Sequence, residues 1–157
     1  YYDGRLLTQS AAADAPGVHD ASQQYVDVAG WTMYFGIFHG STPYAGTKRF
    51  LAEAAKYWPN KPILNTEYGM WAPTKDDEPN QLSVFQDTYR ALSEAASVSA
   101  DGAVQLEGAL VGLTWWTAFD WYVNHNRWIQ TMGLMDMHRK QRKSACHALQ
   151  KAYREQE

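Results

Sequence analysis

Lys61-Pro62-Ile63-Leu64-Asn65-Thr66-Glu67-Tyr68-Gly69 runs from a turn into a short apolar strand and leaves it through a carboxylate, an aromatic ring and a glycine. Ile63, Leu64 and Thr66 suit a buried strand, and Gly69 offers the φ freedom with which such a strand breaks into a loop. A glutamate at the carboxyl end of a buried parallel strand is an expensive place for a charge unless it is paired. In a parallel β/α architecture that end is where chemistry is done. The competing structural reading is a Glu67 that caps a neighbouring helix or pairs with a lysine, and the segment alone leaves both open.

Outward from this strand the pattern alternates. Phe50, Leu51, Ala54, Ala55 and Trp58 fall on one helical face and Lys48, Arg49, Glu53 and Lys56 on the other, predicting a helix over 47–58 that Pro59-Asn60 ends. On the other side Ala72–Pro79 reads as a charged turn. Asn80 is then an N-cap for a helix to Val98 with an apolar stripe of Leu82, Phe85, Tyr89, Leu92 and Ala96. Residues 109–118, rich in Leu, Val and Trp without polar alternation, read as a strand buried on both faces. Residues 25–35 read as another strand, whose Gly30 lets a neighbouring backbone or ring approach closely.

Arg5-Leu6-Leu7-Thr8-Gln9 reads as a strand, 10–24 as a loop with a helical turn, and 36–46 as a glycine- and aromatic-rich loop long enough to form a rim or lid. A second aromatic loop is expected over 119–131 and a terminal helix over 140–155. Strands alternating with helices call for an α/β fold with a parallel sheet. Four such strands are half of an eight-stranded β/α barrel, which needs roughly 250 residues; the chain has 157.

The length fits one domain, without a second. A net charge of −3 gives no reason to expect a nucleic-acid or anionic-membrane partner. A single cysteine, Cys146, rules out a disulfide framework within the chain, and the five histidines (His19, His39, His125, His138, His147) share no metal-ligand spacing and read as surface or loop residues. No metal and no cofactor are therefore expected. No apolar run has spanning length. Tyr1-Tyr2-Asp3-Gly4 has neither the flank nor the core of a signal peptide and reads as a chain entered in mid-protein; localisation stays open. His138–Lys143 reads as a solvated basic loop, and Asp76-Asp77-Glu78 as a solvated turn without the calcium-loop pattern. The surplus is aromatic: seven Trp and ten Tyr, a supply suited to stacking flat ligands, sugars among them, or to a packed core. Taken singly, Tyr34, Trp31, Trp115 and Trp121 each suit the core, and Trp115 does so best.

In order and spacing, Asp27–Gly36, Phe50–Ala54, Lys61–Gly69, Trp116-Thr117-Ala118-Phe119-Asp120-Trp121, Met132-Gly133-Leu134 and Arg142-Lys143-Ser144-Ala145 resemble the C-terminal half of the catalytic barrel of glycoside hydrolase family 2, which contains β-galactosidases, β-glucuronidases and β-mannosidases. The resemblance spans nearly the whole chain and is most specific around Glu67. It implies a parallel β/α barrel of TIM type, strands five to eight only, with Arg5-Leu6-Leu7-Thr8 as the fifth strand. Glu67 matches the nucleophile after the seventh strand, Tyr34 the tyrosine that hydrogen-bonds it, and Trp116 the floor beneath the sugar. Asn65 and Thr32 are implied as substrate-binding residues, and Asp120 as a structural one. Thr32 stands where members often carry Asn, while Met70 and Met132 stand where the β-galactosidase branch has His and Asn. These departures touch sugar preference, with the β-galactosidase type as the leading case, and not the reaction class.

The implied reaction is retaining hydrolysis of a β-glycoside by two carboxyl groups roughly 5 Å apart. The acid/base partner follows an Asn in the family, and no Asn-Glu pair occurs in this sequence. Asp120, Glu107, Glu53 and Glu94 are poor substitutes. The chain is expected to be inactive without the preceding half, supplied by a complementary fragment or by a homo-oligomer that covers its strand edges. The alternative is a non-catalytic carbohydrate-binding or assembly module that kept this half without the acid/base.

Overall fold

The structure, a computed structural model, describes residues 3–123 and 128–154. Its frame is a four-stranded, all-parallel sheet in the order β1 (Ala11–Ala12), β2 (Ala29–Thr32), β3 (Ile63–Tyr68), β4 (Leu110–Trp115). Helix α1 (Pro43–Tyr57) joins β2 to β3, and α2 (Glu78–Glu94) joins β3 to β4. An antiparallel hairpin, β5 (Trp121–Val123) with β6 (Trp128–Gln130), and α3 (Ser144–Arg154) complete the described chain. The expected α/β alternation with a parallel sheet is thus present. The loop expected over 119–131 is partly this hairpin, while residues 124–127, His125 among them, and 155–157 lie outside the described residues.

The core lies between one face of the sheet and the helices. Ala29, Trp31 and Met33 from the β2 segment, Ile63 and Tyr68 from β3, and Leu110 and Trp115 from β4 pack against Phe50, Leu51 and Ala54 of α1 and Phe85 and Leu92 of α2. Trp31 and Trp115 are core aromatics, as their individual readings had it. Area removed from water at this face supplies the main driving force for docking α1 and α2. The opposite face, with Thr32, Leu64, Thr66, Glu67 and Gly112, is only partly covered.

Several boundaries differ from the sequence pattern, each for a local reason. Residues 5–9 form no strand beyond a bridge from Thr8 to Val28, and pairing begins properly only at Ala11. Leu6 and Leu7 stay outside the core and are 74% and 48% exposed. Helix α1 starts at Pro43, not residue 47, because the Thr42 hydroxyl accepts from the Ala45 N–H at 3.2 Å and Pro43 suits the first turn. Gly46, which made this stretch resemble a loop, sits inside the helix, where a Cβ would strike the Phe35 ring at 2.5 Å.

Helix α2 starts at Glu78, so Asn80 is interior and not its cap. The preceding turn is closed by Asp77, whose carboxylate accepts from the Thr74 N–H and hydroxyl at 3.0 and 2.6 Å. Glu78 is not simply solvated either; its Oε2 accepts from the N–H and hydroxyl of Ser144 at the start of α3, both at 2.8 Å. α2 stops at Glu94 because Ala95–Ser97 turns to pair with Leu110. β4 is not buried on both faces: Val111 is 52% exposed, and beyond Leu110 no described strand pairs with its outer edge.

Gly30 plays the part expected of it. A Cβ there would lie 2.1 Å from the Gln9 carbonyl oxygen. Gly30→Ala is therefore expected to lower stability by about 1–3 kcal/mol in urea denaturation, whereas Gly40→Ala, with open space around the same position, should leave the midpoint unchanged.

Candidate functional site

Strict alternation along β3 would put residues 63, 65 and 67 on one face. Ile63 and Asn65 are fully buried beneath the helices, so an unbroken strand would drive the Glu67 carboxylate into the apolar core. The register prevents this. Trp31 pairs with Asn65, but the next residue, Thr32, pairs with Glu67; on the other side Asn65 and Tyr68 pair with Leu113 and Trp115. β3 thus carries one extra residue against both neighbours, a bulge that re-aims the following side chain. Glu67 emerges half-buried on the open face, opposite Thr32, at the carboxyl end of the sheet.

Two bonds fix its backbone. The Glu67 carbonyl accepts from the Met33 N–H at 2.8 Å and from the Asn65 side-chain amide at 2.9 Å. Asn65, expected to meet substrate, is instead fully enclosed behind the carboxylate, where it holds the main chain of Glu67. Its Oδ1 is buried without a partner among the described residues. Thr32 remains on the open face, its hydroxyl 3.4 Å from the Ala11 carbonyl.

Tyr34 donates its phenolic hydrogen to Glu67 Oε2 at 2.9 Å. Burial, followed by the negative charge and the hydrogen bond of Glu67, pushes the Tyr34 hydroxyl far above the usual phenol range. It stays protonated and can only act as donor to this carboxylate. Oε1 accepts no hydrogen bond from the described residues.

Aromatic rings stand beside Tyr34 and at the end of the neighbouring strand. Phe38, 57% exposed, packs edge-on against Tyr34 at 5.1 Å and against Trp71 at 5.1 Å. Trp116, 38% exposed, stands at the end of β4 and meets Trp121 edge-on at 5.7 Å. The Trp116 N–H donates to the Tyr68 carbonyl at 2.8 Å, bringing this segment against the residues after Glu67. Gly69 is needed for that approach and not for φ freedom: its φ is not left-handed, and a Cβ would sit 2.3 Å from the Trp116 carbonyl oxygen. The peptide bond from Trp116 to Thr117 is cis. Phe38 and Trp71 escaped the sequence reading; the aromatic richness of the rim loop was a signal for Phe38 alone.

The Trp116–Trp121 segment is anchored from beneath. Asp120 Oδ1 accepts from Lys143 Nζ and from the Gly133 N–H, both at 2.8 Å, and the same Nζ donates to the carbonyls of Thr131 and Ala72 at 2.9 and 3.2 Å. Lys143 is buried, in contrast to the solvated basic loop expected for 138–143. One ammonium therefore ties together the turn after β3, the hairpin and the approach to α3. His39 lies in a loop, one of the two settings expected for it, but is buried there beside Tyr34 and Phe35. Among the described residues, no cluster of His, Cys, Asp or Glu could hold a metal ion.

Several solved glycosidase structures share this fold. β-Glucuronidase 2 of Bacteroides uniformis, covalently bound to cyclophellitol-6-carboxylate aziridine, matches with a TM-score of 0.74 at 21% identity, over 96% of this chain and 18% of its own. An FMN-binding β-glucuronidase from Facaelibacterium prausnitzii L2-6 matches at 0.73 and 17% identity, over 93% of this chain and 23% of its own. A GH2 β-galacturonidase from Eisenbergiella tayi bound to galacturonate matches at 0.71 and 19% identity, over 96% and 27%. The chain thus spans about a quarter of the length of these structures, and at such identities the likeness is one of fold. No family model and no curated protein matches the chain.

Removing the anchor isolates its contribution. Lys143→Met leaves Asp120 as a lone charge at a site where both side chains are less than 10% exposed, and is expected to cost roughly 3–5 kcal/mol. The double variant Asp120→Leu/Lys143→Met, which removes both charges, should recover most of that loss in the same denaturation assay.

Proposed function

We propose that this chain is the nucleophile-bearing half of a retaining β-glycosidase of the glycoside hydrolase family 2 type. The observation that carries the reading is the Tyr34 hydroxyl on Glu67 Oε2 at 2.9 Å, on the open face of a parallel sheet at its carboxyl end. Hydrogen bonding to the charged form keeps a carboxylate ionised and aligned for attack on an anomeric carbon. Attack by Oε1 would form a glycosyl ester at Glu67, and Tyr34, fixed in its protonated form, would stay on Oε2 throughout. Trp116 supplies a flat apolar surface for sugar C–H groups, and Thr32 a hydroxyl beside the carboxylate. The fold shared with glycosidases supports the substrate class, a β-glycoside. Galactoside, glucuronide and mannoside remain alternatives within it.

Retention needs a second carboxyl group roughly 5 Å from the first, to protonate the leaving oxygen and then to deprotonate water. Among the described residues every candidate is engaged or misplaced. Asp120 is locked to Lys143. Glu94 holds Lys48 and Tyr44. Glu107 precedes β4, at the opposite end of the sheet. Glu53 lies on α1, in a cavity with Asp14 and Arg49. We place the acid/base in a preceding barrel half, which would also cover the open edge of β4 and a neighbouring cavity of about 860 Å³ lined by Leu110, Val111, Leu113 and Tyr153. The missing acid/base equally favours a second reading, a non-catalytic binding or assembly module.

A cyclophellitol-type aziridine distinguishes the two readings. With the preceding half supplied, mass spectrometry should find the adduct on Glu67, Glu67→Gln should abolish it, and Tyr34→Phe should slow its formation about ten- to hundredfold, the worth of a hydrogen bond to a charged group. The chain alone should show no glycoside turnover. Absence of labelling with and without the complement would favour the binding module.

A further inference from the structure

Tyr34 is held by more than Glu67. Its carbonyl accepts from the N–H groups of Ile37, Phe38 and His39 at 3.1, 3.0 and 3.1 Å, and the Gly36 N–H closes onto the His39 carbonyl at 2.9 Å. Residues 34–39 thus form one closed turn that carries both the Tyr34 phenol and the Phe38 ring. The remaining main-chain donor at its start is the buried Tyr34 N–H, and its acceptor is the imidazole Nδ1 of His39 at 3.3 Å. A backbone N–H can only donate, so Nδ1 must be bare and the ring proton sits on Nε2. That nitrogen faces Asp14 Oδ1 at 3.6 Å.

We propose that His39 is a positioning residue for Glu67, its neutral imidazole gripping the Tyr34 main chain so that protonation of the ring loosens the tyrosine from the carboxylate. This rests on the reading of Glu67 as nucleophile. Protonation at Nδ1 would set two N–H donors against each other and strip a buried amide of its acceptor, a costly outcome that the turn relieves by moving Tyr34. The groups facing the ring are few. Asp14, from the segment after β1, favours the charged form, while Glu53 and Arg49 of α1, of opposite charge, line the same cavity of about 480 Å³. The Tyr34 and Phe35 rings pack edge-on against the imidazole and offer it no charge.

Burial lowers the His39 pKa below the usual imidazole value, with Asp14 working against that shift. The sign follows: the grip is complete above the ordinary imidazole range and is lost as pH falls through the lowered value of the folded state. The contact of Tyr34 with Glu67 thereby depends on the protonation state of the His39 ring.

The test has two arms. In the ¹⁵N-labelled chain, the Tyr34 amide resonance should titrate with the same midpoint as the His39 ring. His39→Asn, whose Oδ1 can take the place of Nδ1, should keep the high-pH amide shift and abolish its pH dependence; His39→Leu should lose that shift at every pH. With the preceding half supplied, the rate of aziridine labelling at Glu67 should show an acid limb at the His39 midpoint in the wild type and none in His39→Asn. His39→Leu should label about fivefold more slowly, the worth of one neutral hydrogen bond. An amide that stays flat while the His39 ring titrates overturns the proposal, as does a labelling profile identical in wild type and His39→Asn. If the wild type is never labelled, the nucleophile reading falls and takes the role of His39 in it, while the amide titration still decides whether the imidazole grips Tyr34.

Discussion

One unpaired residue in β3 decides what kind of surface this chain presents. With regular pleating, Glu67 would follow Ile63 and Asn65 into the helix-facing core, where an ionised carboxylate without a partner is severely penalised. The step in register against both β2 and β4 turns it outward, next to Thr32 and beneath the Tyr34 hydroxyl. The same irregularity lets Tyr68 return to the core against Phe85 and Trp115. The strand therefore buries a tyrosine and exposes a glutamate at adjacent positions, which an unbroken period of two also allows, but on the opposite assignment of faces.

Around that carboxylate the chain uses rigid main-chain contacts. Glu67 is fixed through its carbonyl by Met33 and Asn65, Trp116 is drawn against Tyr68, and the absent Cβ of Gly69 admits the Trp116 carbonyl. Lys143 then pins three segments at once through two carbonyls and Asp120. A buried ion pair of this kind contributes little net stability compared with an apolar substitute, yet breaking it from one side is costly. It is better understood as a device that fixes where the Trp116–Trp121 segment lies.

The sheet is open where a barrel would be closed. β1 has two residues, the apolar Leu6 and Leu7 before it are exposed, and beyond Leu110 no described strand pairs with the outer edge of β4. Free strand edges and uncovered apolar side chains favour association. Both features lie in the frame that carries Glu67.

Much was legible in the residues themselves. Ile63–Tyr68 as a strand ending in a carboxylate, the apolar stripes of α1 and α2, Trp31 and Trp115 in the core, and close approach at Gly30 all follow from local patterns of apolar spacing and side-chain size. The resemblance picked out Tyr34 as the partner of Glu67, and the two are in contact. What the pattern missed depends on partners distant in sequence. Lys143 looks solvated until Asp120, Ala72 and Thr131 converge on it; a loop His39 gives no sign of the turn that buries it behind Tyr34; Asn65 looks available until the fold encloses it behind Glu67. Local sequence determined the elements and the residue types at the strand ends, because those follow from propensity and periodicity. Only the tertiary structure decided which face Glu67 takes, because register is set by pairing with strands that begin more than thirty residues away on one side and more than forty on the other.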